Sequence, residues 1–81
     1  MKKILIIGGG AMGSAFSIPC LDNRHTVTIT EPYSKQFIKD LSSKNKFHSA
    51  LKIKLPKKLK FKKFSNDLLK EKFDLIVIAL S

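Results

Sequence analysis

The chain carries a single cysteine, Cys20, in 81 residues. That excludes an internal disulfide framework and makes a reducing cytoplasm the simplest setting. Long apolar runs are missing as well. The first run, Ile4-Leu5-Ile6-Ile7, breaks at Gly8, too soon for the core of a signal peptide, and no other run reaches the length of a membrane span. Acidic residues are few: 6 Asp+Glu stand against 16 Lys+Arg, for a net charge of +10. Arginine is almost absent, since every basic residue except Arg24 is lysine. Nucleic-acid sites usually bring arginine and stacking aromatics. The lysines crowded between Lys52 and Lys63 therefore read as a solvated loop and edge strand, without a nucleic-acid partner. His25 and His48 are the only histidines. Neither has a partner at metal-ligand spacing, so no metal site is assigned. No Ser/His/Asp or Cys/His arrangement is evident, and no catalytic residue is assigned. Cys20 and His25 read as packing residues.

What is present is a glycine cluster in a telling place. Gly8-Gly9-Gly10-Ala11-Met12-Gly13 fits G-x-G-x-x-G. It lies directly after a continuous, β-branched run and directly before a helical pattern. Strand, glycines and helix in that order form the arrangement that receives a dinucleotide pyrophosphate. Gly8 permits the tight turn, Gly10 lets phosphate approach the backbone, and Gly13 lets the helix pack on the strand. The helix N-terminus then offers free N–H groups and a positive dipole end. Ala11 and Met12 are expected over the pyrophosphate.

The rest of the chain alternates. Residues 3–7 predict a buried strand. Residues 11–23 predict a helix with Ala11, Ala15, Ile18 and Leu21 on its apolar face, kinked or shortened at Pro19. Residues 26–30 predict a second strand, and 32–43 a second helix with Pro32 in its first turn and Phe37, Ile38 and Leu41 turned inward. Residues 44–56 read as a basic connection. Residues 59–64 alternate as a half-exposed strand, with Phe61 and Phe64 on the core face. Ser65 caps a short helix over 66–72, and 74–80 form the last strand. This alternation predicts an α/β fold: a partial Rossmann fold with a parallel sheet of about four strands, order 3-2-1-4, with flanking helices. The lysine-rich third strand falls at the edge, where charge blocks stray pairing.

Glu31 stands at the tip of the second strand. A carboxylate there accepts from the adenosine ribose hydroxyls and repels a 2′-phosphate, favouring NAD over NADP. The same fingerprint serves FAD, so the loop alone does not choose the cofactor. Ser81, after the last strand, falls where such sheets bind ligands. Since a chain seldom stops at the tip of a central strand, residues 1–81 read as the N-terminal half of a dinucleotide-binding domain, with a catalytic C-terminal domain absent from this chain.

From Ile4 to Ser81 the chain resembles the N-terminal part of NAD(P)-dependent glycerol-3-phosphate dehydrogenase. The resemblance rests on Ile-Ile-Gly-Gly-Gly-Ala-Met-Gly-Ser-Ala at the start and on His25-Thr-Val. It rests further on the segment from Asn45 ending in Leu55-Pro-Lys-Lys-Leu59, on Ser65-Asn-Asp-Leu, and on Asp74-Leu-Ile-Val-Ile-Ala-Leu-Ser. It implies reduction of dihydroxyacetone phosphate to sn-glycerol 3-phosphate, a phospholipid precursor. It places Gly8, Gly10, Ala11, Met12 and Gly13 in the pyrophosphate loop and Glu31 and Pro32 at the adenosine ribose. The family's catalytic lysines and phosphate-binding arginine fall beyond Ser81, and a homodimer is left open for a full-length protein. This chain departs from the family at Met12, usually aromatic, at Arg24, usually glycine, and at Pro19. Glu31 departs too, since bacterial members often place a basic residue near it for NADPH. Gly-Ala-Met-Gly-Ser also resembles ketopantoate reductases, against which the 47–59 segment argues. A non-catalytic nucleotide-binding module is the remaining alternative.

Overall fold

The structure, a computed structural model, describes residues 1–42 and 46–80; Leu41 and Ser42 are described by their backbone alone. Ser43 and Ser81 lie outside the described residues, and so does the inward side chain expected for Leu41. The elements run β1 (Lys3–Ile7), α1 (Ala11–Asp22), β2 (Thr26–Thr30), α2 (Lys35–Ser42), β3 (Phe47–His48), β4 (Ile53–Lys54), β5 (Lys60–Phe61), α3 (Asn66–Lys70) and β6 (Leu75–Ile78).

β1, β2, β5 and β6 form a four-stranded sheet in the order β5-β2-β1-β6, with every pairing parallel. This is the predicted 3-2-1-4 order and the architecture of a partial Rossmann fold. β1 sits centrally, and its successive residues Ile4, Leu5 and Ile6 are all buried. Alternate side chains point to opposite faces of a strand, so β1 is covered on both faces, as parallel strands are. Val27 and Ile29 of β2 join Ile4 and Ile6 in the core, together with Phe37, Leu55 and Leu59. The Phe37 and Phe61 rings meet at 5.4 Å between centroids. Such tilted pairs add about 0.5–1.5 kcal/mol beyond the area they bury.

Several expectations need correction. α1 buries Gly13, Ser14, Ser17 and Cys20, whereas Ala11 and Ala15 are exposed. Small residues let the helix lie close to the sheet, and the serines bring no unpaired hydroxyl. Ser14 donates to the Gly9 carbonyl at 2.9 Å and Ser17 to the Ser14 carbonyl at 2.6 Å. α1 also runs through Pro19 to Asp22. Proline inside a helix costs about 3 kcal/mol relative to alanine, and packing of this helix on β2 and β1 overrides that preference. At the helix exit Arg24 holds φ 66°, a left-handed conformation that normally selects glycine.

α2 begins at Lys35, so Pro32 lies in the preceding turn. The Glu31 carboxylate accepts from the Tyr33 and Ser34 N–H groups there. The Ser34 hydroxyl then accepts from the Phe37 N–H at 3.2 Å, starting the helix three residues later than expected. Ile38 is exposed on this helix. Phe64 is exposed too, because β5 is confined to Lys60–Phe61. Ser65 caps α3 as predicted, its hydroxyl accepting from the Leu68 N–H.

The basic connection holds an antiparallel hairpin, β3 with β4, pairing His48 with Ile53. Its two-residue strands carry no alternating pattern long enough to announce themselves. Asp40 of α2 fastens it, accepting from the Ser49 N–H at 3.1 Å and the Ser49 hydroxyl at 2.8 Å.

β6 forms the sheet edge opposite β5. Ile78 is 72% exposed there, and Leu75, Ile76 and Leu80 are also exposed. Unprotected apolar edges invite pairing with another chain. The 81-residue chain is expected to self-associate in a concentration-dependent way, and Ile78→Lys to reduce it. Sedimentation velocity over a range of concentrations checks this; a wild-type chain that stays monomeric throughout contradicts it.

Candidate functional site

Gly8, Gly9 and Gly10 carry the chain from β1 into α1, and each has different surroundings. Gly8 has φ 128° and is buried, and a Cβ on it would strike the Ala79 carbonyl. A Cβ on Gly13 would strike the Gly8 carbonyl. These two glycines bring β6 and α1 close to the end of β1 and shape the loop from beneath. A Cβ on Gly9 would enter the Phe37 ring. Gly9 occupies a free position of the G-x-G-x-x-G motif, and its partner, Phe37, is distant in the chain. At Gly10, a Cβ would meet nothing within 4 Å. This is the open position of the loop.

Gly10 faces a cavity of about 500 Å³. Gly10, Ala11 and Met12 line one side, Glu31, Tyr33 and Ser34 a second, and Ala79 and Leu80 a third. These three segments follow β1, β2 and β6. The cavity therefore opens at the C-terminal ends of the strands, beside β1, from which the sheet grows in both directions. Open α/β sheets bind ligands at such a switch point. Gly10 is the N-cap of α1, no side chain caps that end, and no acidic residue occupies the first turn. The first N–H groups of the helix and its dipole are thus left without a competing carboxylate from α1, which is the electrostatic condition for receiving an anion. Met12 is 79% exposed at the rim. Pro32 is partly exposed, but it is not among the lining residues.

Glu31 does more than border the cavity. Its Oε1 accepts from the Gly9 N–H at 2.7 Å, and its Oε2 accepts from Tyr33 at 2.7 Å and Ser34 at 3.1 Å. A carboxylate has about four acceptor positions. Three backbone donors leave it one for a ligand hydroxyl. The carboxylate thereby ties the glycine loop to the turn after β2.

His48 is buried behind the loop. Its Nδ1 accepts from the Leu51 N–H at 3.2 Å, and its Nε2 lies 2.7 Å from the Gly9 carbonyl oxygen. An amide N–H only donates and a carbonyl only accepts, so the ring is the neutral tautomer with hydrogen on Nε2. The sequence offered no signal for this contact, whose partners are 39 residues apart. His25 matches its expected packing role: its Nδ1 accepts from the Lys2 N–H at 3.0 Å, away from the cavity.

Beside His48, burial raises the Asp40 carboxyl. Hydrogen bonds from Ser49 and Gln36 outweigh this and hold it below its ordinary value. Burial pushes the Cys20 thiol up, which suits an inert core thiol rather than a nucleophile.

A second hollow of about 660 Å³ lies at the opposite end of the sheet, lined by Leu21, Arg24, His25 and Lys57, Lys58 and Lys60 among others. It is the roomier of the two, but it has no glycine loop and no helix N-terminus. The strand-end cavity is the better candidate on chemistry.

The family described as NAD-dependent glycerol-3-phosphate dehydrogenase N-terminus matches residues 3–81. The chain belongs to this family. Comparison with curated proteins and with solved structures finds no match. Membership supports a nicotinamide dinucleotide as cofactor and an oxidoreductase as the parent activity. Among the described residues no helix is long and apolar enough to cross a membrane.

Two outcomes are expected here. Gly10→Val fills the open position and should weaken binding of ADP-ribose by at least about tenfold while the melting temperature changes little; calorimetry and thermal melts measure both, and unchanged affinity counts against the cavity. Asp40, ionised and held below its ordinary value, stabilises the fold above about pH 4. That contribution is lost as pH falls through the lower folded value. Asp40→Asn should flatten the acid side of the stability profile, which thermal melts across the acid range would show.

Proposed function

We propose that this chain holds the adenosine and pyrophosphate portion of NAD in a glycerol-3-phosphate dehydrogenase. The observation that carries this reading is Gly10: an open backbone position, at the mouth of a cavity on the strand ends, heading an uncapped helix. Gly10, Ala11 and Met12 would supply N–H groups to the pyrophosphate. Gly8 and Gly13 would keep the loop in place, and Glu31 would take the ribose, with Pro32 beside it. When bound, the dinucleotide supplies hydride transfer; the residues of this chain bind and orient it.

The longer protein would form sn-glycerol 3-phosphate from dihydroxyacetone phosphate, a precursor of glycerophospholipids, in the cytoplasm. Residues 1–81 would be the N-terminal half of its dinucleotide-binding domain. The catalytic lysines and the substrate-phosphate arginine would belong to a C-terminal domain, and none of this chain's lysines takes that role. The family match weighs against a ketopantoate reductase.

The remaining acceptor position of Glu31, with its negative charge, would favour NAD over NADP. NADH is expected to bind at least about tenfold more tightly than NADPH, and Glu31→Gln to narrow that ratio by removing the repulsion of the 2′-phosphate. Fluorescence titration measures both ligands. Equal affinity in the wild type would sink the ribose assignment, and binding of neither would sink the function.

A further inference from the structure

The Gly9–Gly10 peptide is trans, as is every peptide bond described here. In a trans peptide the carbonyl and the following N–H point in opposite directions. The Gly9 carbonyl is turned into the protein, where it accepts from the His48 Nε2–H at 2.7 Å and from the Ser14 hydroxyl at 2.9 Å. The Gly10 N–H therefore leaves the loop on the other side, where the cavity opens at Gly10. The preceding amide is also committed, since the Gly9 N–H donates to Glu31.

We propose that His48 is a positioning residue for the pyrophosphate: by holding the Gly9 carbonyl inward, its Nε2–H presents the Gly10 N–H to the phosphates. This rests on the reading of the cavity as a dinucleotide site. His48 is itself held on two sides. Its Nδ1 accepts from Leu51 within the hairpin. The neighbouring Ser49 is bonded twice to Asp40 of α2, which Gln36 also contacts at 3.3 Å. Asp40 is the charged group facing the imidazole from α2. A line of hydrogen bonds thus runs from α2 through the hairpin to the one loop peptide whose orientation decides whether a donor or an acceptor meets an anion. A carbonyl flipped into the cavity would repel phosphate, so the brace acts on phosphate-bearing ligands in particular.

The test is calorimetry of ADP-ribose and of adenosine, which lacks phosphate, on wild type, His48→Phe and His48→Gln. Phe keeps ring volume without a donor, and the Gln amide carries an N–H donor near the Nε2 position. His48→Phe is expected to weaken ADP-ribose by up to about tenfold, the worth of one neutral hydrogen bond, and to leave adenosine unchanged. His48→Gln should recover most of the loss. If His48→Phe does not fold, Ser14→Ala removes the other donor to the same carbonyl at little cost in volume, and the same selective loss is expected. Equal weakening of both ligands, unchanged ADP-ribose affinity, or no rescue by Gln overturns the proposal while the dinucleotide reading stands. A wild type that binds neither ligand overturns that reading itself, and this inference with it.

Discussion

Both polar groups of Gly9 are committed to the protein: the N–H to Glu31, the carbonyl to Ser14 and His48. Three elements, the end of β2, the first turn of α1 and the β3–β4 hairpin, are referred to this one residue, the first and last of them from 22 and 39 residues away. Its lack of a side chain is what lets the Phe37 ring close over it. Were the loop free, its N–H groups would have no fixed direction, and the helix dipole behind them would act on a moving target. Electrostatic recognition of an anion by backbone amides depends on such preorganisation, because orienting the peptide during binding would subtract from affinity.

The second constraint is proximity. Gly13 sits against the Gly8 carbonyl and Gly8 against Ala79, so α1, β1 and β6 approach more closely than side chains would permit. That approach explains the polar character of the buried face of α1. Ser14 and Ser17 are small, and their hydroxyls find carbonyls within the same loop and helix. One group departs from this economy: the buried Thr30 hydroxyl, at the end of β2, has no hydrogen-bond partner among the described residues. An unpaired buried hydroxyl costs about 1–3 kcal/mol, tolerable in a domain whose central strand is buried on both faces.

Charge is distributed unevenly around this frame. Lys52 and Lys54 lie on the hairpin and Lys57, Lys58 and Lys60 line the hollow at the far end of the sheet, whereas Lys62 and Lys63 share a hollow with Glu31 at the strand ends. Exposed pairs such as Lys62–Glu71, at 3.1 Å, contribute little to stability. At the β5 edge lysine protects against stray pairing, whereas β6 presents isoleucine and leucine at the opposite edge.

The local chemistry of the chain determined much of this. Continuous β-branched runs separated by helical patterns dictate an alternating parallel sheet. Three glycines between strand and helix mark the loop, and at Gly8 and Gly9 no other residue tolerates the close approach of Ala79 and Phe37. Ser65 announces its helix, and Glu31 its place at a strand tip. Tertiary structure decided the rest. Helix spacing suggested an alanine face for α1, but the close approach to β1 selected the face of glycine, serine and cysteine. Pro19 remained in the helix because sheet packing outweighs its local preference. Glu31 became a brace as well as a ribose candidate once the turn after β2 delivered its amides. His48, without a partner in its own segment, found one in Gly9 only when the hairpin folded back over α2. A hydrogen bond between residues so far apart leaves no periodicity or spacing in the sequence, and it is in the folded chain that the direction of the loop peptide is set.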